Sequence, residues 1–357
     1  MRKHTVLIVC IFIYFSLTLR AAAATDIEKL RLQAEAGDAN AQFELGRAYQ
    51  DGTGIQQNDE LAVDWYRKSA ERDYAKAQNS LGVMYARGLG VNQDKAEALR
   101  WYKKAAKQGL PEACFNIAIS YYNGDGVAED MSLAYAWMLV AKNSGDVQTD
   151  DALKRIADEL PGRVDGGKLK LAALYEKGDE IPQNLPRAVD LYFEIAKTES
   201  PETLFAGIAQ YRLCQFYAAG QGVSRDFTEA KSWCKKAAGN GMAVAYVVLG
   251  RMTEQGLGGN KDLAEASDWY QHAALARLPD GFIGSGRLKL LSGSHDDQKK
   301  AYFWLYLAQH FKVPEADPLL QEAAAHLSGK EIAQEQKRAK EWLKTPESRK
   351  KQQLKEH

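Results

Sequence analysis

The chain has 357 residues, 45% of them hydrophobic and 26% charged, which is enough apolar material for a large folded body. Lys plus Arg and Asp plus Glu balance at 47 each, which argues against a nucleic-acid or anionic-membrane footprint. Length alone would suggest two or three domains, but internal repeats override that count.

Met1 to His4 is basic, Thr5 to Leu19 is apolar, and Ala21 to Ala24 offers A-x-A cleavage. That is the pattern of a signal peptide over 1–24. The apolar run is shorter than the roughly 20 residues a transmembrane helix needs. The expected protein is therefore exported, to the periplasm or outside, with no membrane span after cleavage; an uncleaved anchor is the other reading. Without Arg2, Lys3 and Arg20, 44 basic residues face 47 acidic ones.

A helix is expected over 25–37, and a repeating unit follows. Leu45, Gly46 and Tyr49 share one face of a 3.6-period helix. Gly52 and Gly54 end it, since glycine takes the left-handed conformation without a Cβ penalty. Asn58 caps a second helix with Ala62, Trp65 and Tyr66 on its apolar stripe. About 36 residues on stand Leu81, Gly82, Tyr85, Gly88, Gly90, Asp94, Ala98, Trp101 and Tyr102. The third copy is Ile117, Ala118, Tyr121, Gly124, Gly126, Asp130, Ala134, Trp137 and Met138.

Register then breaks. A lone amphipathic helix is expected over 150–160, closed by Pro161-Gly162. A degenerate fourth unit carries Leu171, Tyr175, Gly178, Asn184, Ala188 and Leu191, with Leu where Trp is expected. The fifth is clean (Leu213, Tyr217, Gly220, Gly222, Asp226, Ala230, Trp233), as is the sixth (Leu249, Gly250, Gly256, Gly258, Asp262, Ala266, Trp269). A seventh keeps only its second half, at Asp297, Ala301 and Trp304. Helices over 317–327 and 328–343 follow, the second opened by a Ser328/Glu331 capping box, and a charged tail spans 344–357.

The second helices of units three and seven, at 134–141 and 301–308, are unusually apolar and each precedes an extra helix. They read as two array ends, because terminal units need capping elements. The expected arrays are 25–165, with three repeats and a cap helix, and 166–343, with about four repeats, two of them degenerate, and cap helices. One hairpin cannot bury its own stripe, so the units must stack. The predicted fold is all-α, an α-solenoid of helix–turn–helix repeats of about 36 residues.

Candidate chemistry is sparse. The cap positions Asn58, Asp94, Asp130, Asn184, Asp226, Asp262 and Asp297 are all Asn or Asp, and helical patterning follows each. Their loops lack the alternating oxygen ligands and closing Glu of an EF-hand. Ser232-Trp233-Cys234-Lys235 matches S-x-x-K, but no S-D-N or K-T-G accompanies it, and Trp233 is a packing position. The G-x-G turns follow helices rather than strands, so they are not phosphate loops. No catalytic, cofactor or metal residue is assigned, and the chain reads as non-catalytic. Cys214 and Cys234 occupy facing positions of one hairpin. A disulfide in an oxidising compartment and a pair of buried thiols are both open readings.

The full pattern is A-x-A-x-x-x-L-G-x-x-Y-x-x-G-x-G-V, then D-x-x-x-A-x-x-W-Y-x-x-A-A-x-x-G. Over about 38–308 it resembles the Sel-one-like repeat family, relatives of tetratricopeptide repeats. The resemblance implies a right-handed solenoid acting as an adaptor in macromolecular assembly, with the first helix of each pair on the concave side. Residues flanking the core stripe are then expected to face a ligand. They are Phe43, Arg47 and Gln50, then Asn79, Val83 and Arg87, then Phe115, Ile119 and Tyr122. Tyr211, Gln215, Val247 and Arg251 follow. The expected partner is a protein or peptide. A cell-wall glycan or envelope polysaccharide stacked on exposed aromatics is the alternative, and a serine hydrolase of β-lactamase type at Ser232 the third.

Overall fold

The computed structural model describes residues 26–143, 149–159, 161–197 and 203–345. The leader read at 1–24 and all of the tail beyond Thr345 lie outside these residues. Among the described residues the chain forms helices and no strand.

Helix α1 spans 26–35. Three hairpins follow: α2 (Ala39–Asp51) with α3 (Asp59–Ala70), α4 (Ala75–Arg87) with α5 (Lys95–Lys107), and α6 (Pro111–Asn123) with α7 (Met131–Asn143). After α8 (Thr149–Glu159), the fourth repeat is α9 (Pro161–Lys177) and α10 (Leu185–Lys197). The fifth is α11 (Thr203–Ala219) with α12 (Phe227–Gly239), and the sixth α13 (Val244–Gln255) with α14 (Leu263–Leu275). The seventh is α15 (Pro279–Ser292) with α16 (His295–His310), closed by α17 (Ala316–Ala325) and α18 (Gly329–Lys344). Two compact units divide at Asn184/Leu185, so the fourth repeat gives α9 to one and α10 to the other. Within each unit successive helices pack on one another, which is how a solenoid buries its stripes.

The second repeat shows why this sequence makes this hairpin. Gly88 closes α4 in the left-handed region, at φ 69°. The backbone N–H of Asp94 donates to the carbonyl of Tyr85 at 3.0 Å, and its carboxylate accepts from the N–H of Glu97 at 2.8 Å. The cap residue thus ties the turn to the helix before it and the helix after it. A Cβ on Gly82 would lie 2.6 Å from the Tyr102 ring, so the missing side chain is what lets α4 and α5 approach. Leu81 and Met84 of α4 and Ala98 and Ala105 of α5 are fully buried. Asp94→Ala is expected to cost about 1 kcal/mol through cap loss, read as a shift in the urea midpoint at unchanged slope.

Helix α8 ends at Glu159, just ahead of Pro161-Gly162, and Pro161 is the first residue of α9, where its missing N–H would be unpaired in any case. Gly167 then lies inside α9, where a Cβ would come within 2.6 Å of the Tyr135 ring. The seventh unit keeps the repeat pattern only in its second half; its first helix, α15, lacks the Leu-Gly…Tyr signature yet packs Gly284 against Tyr270. One expectation is corrected: Asp297 is not an N-cap. Ser294 is, and Asp297 sits one turn into α16.

The Asp297 carboxylate accepts from the hydroxyls of Ser292 (2.5 Å) and Ser294 (2.8 Å) and lies 3.1 Å from Lys289. The Ser292 bond first, then Ser294 and Lys289, pull its pKa down to about 2. An unfolded Asp titrates near 3.9. This stabilisation is therefore complete above that value and is lost as pH falls through about 2. Asp297→Asn should flatten the acid limb of stability between about pH 4 and 2, measured by urea unfolding at each pH.

Candidate functional site

The residues expected to face a ligand separate by burial. Phe43 is 8% exposed, with its ring centroid 5.7 Å from Tyr66 and 5.4 Å from Tyr74. Val247 is equally buried, at 8%. Both belong to inter-helix packing: the Tyr that opens the next repeat covers Phe43, which single-repeat periodicity does not show. Gln50 is half-buried and accepts the Tyr66 hydroxyl at 2.6 Å. Arg47 is exposed and pairs with Glu44 at 2.6 Å; Arg251 is exposed and pairs with Asp280 at 2.6 Å. Tyr211 and Gln215 are half-buried in the second unit, where Gln215 accepts from Arg212 at 2.7 Å.

The first unit brings one group together. The Asn116 amide donates to the Asn79 oxygen at 2.9 Å, bridging α6 to α4. Val83, Phe115, Ile119 and Tyr122 are half-buried on the same two helices, and Arg87 is exposed at the end of α4. Helical spacing puts 79, 83 and 87 on one face of α4, and 115, 119 and 122 on one face of α6.

Sequence reasoning missed a polar ladder inside the repeats. Gln42, Gln78 and Gln210 each stand three residues before the repeat leucine. Their amide nitrogens donate to the carbonyls of Ala34 (3.0 Å), Ala70 (3.1 Å) and Ala196 (3.3 Å). Each thereby satisfies a carbonyl at the C-terminal end of the preceding helix. The amide oxygens of Gln78 and Gln210 accept from Gln108 and Asn240, both at 2.8 Å. The signal was the recurring Gln. In the third repeat Cys114 takes that place, buried, and burial pushes its thiol up to about 12.

Cys214 of α11 and Cys234 of α12 are joined by a disulfide, both fully buried. Ser232 is exposed beside buried Trp233, and Lys235 lies 3.4 Å from Glu265. In the second unit Arg287 of α15 and the Tyr270 hydroxyl of α14 meet Glu254 of α13 at 2.6 and 3.0 Å. The Arg287 guanidinium holds that carboxyl below the usual range. These contacts rivet three helices together. Among the described residues no group of three or more His, Cys, Asp or Glu could hold a metal ion. No helix among them is long and apolar enough to cross a membrane.

Repeated hairpins with shared caps, shared glycine contacts and a shared glutamine define a helical-repeat scaffold. The Sel1 repeat model matches residues 39–74, 75–110, 111–146, 167–197, 207–242, 243–277 and 291–308. The chain belongs to the Sel1 repeat family, whose repeats generally mediate protein–protein interaction. Among solved structures it is similar to c5321, a protective antigen of uropathogenic Escherichia coli strains displaying an SLR fold. The identity there is 24%, over 88% of this chain and 70% of that one, with a TM-score of 0.34. A Sel1 repeat protein from Oxalobacter formigenes is 27% identical over 71% of this chain and 96% of that one, with a TM-score of 0.30. The immunity protein Pa5087 from Pseudomonas aeruginosa is 18% identical, over 68% and 82%, with a TM-score of 0.25. No match was found among curated proteins.

Proposed function

We propose that the protein is an exported, non-catalytic scaffold holding an extended protein segment on α4 and α6 of its first unit. The observation that supports it most is the Asn116–Asn79 amide pair set among half-buried Val83, Phe115, Ile119 and Tyr122. Bonded head to tail, the pair leaves amide donors on Asn79 and an acceptor on Asn116. A peptide group offers the matching carbonyl and N–H. The apolar side chains around it supply area that a partner can cover. Ile119→Glu combined with Tyr122→Ala should abolish capture of a polypeptide from envelope extract at unchanged thermal midpoint. Lys107→Ala, on the exposed side of α5, should leave capture intact. Equal capture by all three proteins would remove this face from the account.

Export rests on the leader pattern at 1–24 and on the Cys214–Cys234 bond, since disulfides persist in oxidising compartments. Protein isolated from the envelope and denatured without reductant is expected to expose the Cys114 thiol alone. Reduction should add Cys214 and Cys234. Three thiols before reduction would place the protein in a reducing compartment.

A further inference from the structure

One tryptophan of the repeats lacks the cover that its counterparts have. Trp65, Trp101, Trp233 and Trp269 hold the same position in the second helices of repeats one, two, five and six. Three residues on, Lys68, Lys104 and Lys236 set their ammonium groups over the first three rings, 3.9, 3.9 and 4.0 Å from the centroids. A lysine so placed gains a cation–π contact and covers the ring. Trp137 and Trp304, in repeats three and seven, are buried instead. In repeat six the lysine position is His272, whose ring stands 6.1 Å from Trp269 and tilted by 46°.

The uncapped ring belongs to a wider aromatic surface. Tyr246 of α13 stacks against both neighbours, 6.1 Å from Trp269 at 20° and 5.3 Å from His272 at 26°. Trp269 and Tyr246 are half-buried and His272 is exposed, so all three meet solvent. Beside them the Glu265 carboxylate accepts from the Trp269 indole N–H at 3.2 Å, which fixes the ring. The same carboxylate lies 3.4 Å from Lys231 and 3.4 Å from Lys235. Two ammonium groups thus share one carboxylate, leaving one positive charge in excess. Lys231 is buried, whereas the Lys235 side chain is 51% exposed and its ammonium stands 5.9 Å from the Trp269 centroid. The excess charge therefore faces solvent next to the rings.

We infer that this surface binds an acidic glycan, a β-linked chain of uronate pyranoses. A pyranose with equatorial hydroxyls shows C–H bonds on its faces, so one face lies on Trp269 and Tyr246 with no hydroxyl stripped of water. The uronate carboxylate leaves the sugar at its edge, where it meets Lys235 while the ring stays stacked. An apolar protein side chain on the same rings would desolvate Lys235 and Glu265 and return no hydrogen bond. Sugar hydroxyls and the carboxylate replace that water. The site lies in the second unit, so it and the α4/α6 face of the first can fail independently.

Calorimetric titration of the full chain with β-1,4-linked tetraglucuronate and with cellotetraose tests it. The two chains share ring and linkage and differ in the carboxylate. Tetraglucuronate is expected to bind saturably, and cellotetraose at least about tenfold more weakly, the scale of a lost hydrogen bond to a charged group. Lys235→Gln should bring tetraglucuronate down to the level of cellotetraose. His272→Lys restores the cap of the other repeats and should weaken tetraglucuronate about two- to fivefold, the cation–π contact the sugar must displace. Binding by charge alone would instead strengthen in that variant. Both substitutions fall on exposed side chains, and unchanged circular dichroism checks that the fold is kept. The inference is overturned by no saturable tetraglucuronate binding, by cellotetraose matching it, by Lys235→Gln leaving the affinity unchanged, or by His272→Lys leaving it unchanged or raised.

Discussion

Trp137→Ala is expected to cost about 3–5 kcal/mol, the usual range for truncating a buried tryptophan. The indole is 0% exposed, and Ala134, Met138 and Ala141 on the same helix are buried to the same degree. Helix α7 is the most apolar second helix of the first unit, and α9 packs directly on it, with Gly167 against Tyr135. The indole N–H is buried without a partner, so Trp137→Phe keeps most of the packing and loses no hydrogen bond. Urea unfolding followed by far-ultraviolet circular dichroism should show a large loss for Ala and a small one for Phe. Trp65→Ala should cost less than Trp137→Ala. Trp65 is only half-buried, and Lys68 already shields its ring.

Gly90→Ala is the second large effect, and it probes the joint between repeats rather than the core. Gly90 has φ +62°, and a Cβ there would lie 2.2 Å from the Asp59 carbonyl oxygen and 2.6 Å from the Glu60 nitrogen. Both obstacles are backbone at the start of α3, so no side chain can swing aside. Alanine would bear about 1–2 kcal/mol for the left-handed conformation and about 1–3 more for overpacking. Gly109 is the control. It has φ +84° with nothing within 4 Å, so Gly109→Ala should show only the conformational cost. Equal losses at the two sites would mean that the turn does not seat on the preceding repeat.

The hairpins were legible because each signal is local. A capping Asp, a left-handed glycine and a Trp-Tyr stripe all act within one turn or one helix, and repetition multiplied them. Asp94 and Gly88 do in the structure what their residue types dictate. What escaped depends on the next repeat. Phe43 reads as a surface position on α2 alone and is buried because Tyr74 arrives from beyond α3. Pro161 marks the end of α8, as the pattern expects, and also opens α9, because proline fits the first turn of a helix.

The central proposition is that α4 and α6 present a protein-holding face. A photo-crosslinking residue placed at position 119 and, separately, at position 107 reads this directly in the native envelope. Crosslinking to a discrete polypeptide from position 119, and not from position 107, is the predicted result. Adducts from both positions alike, or from 107 alone, would contradict it.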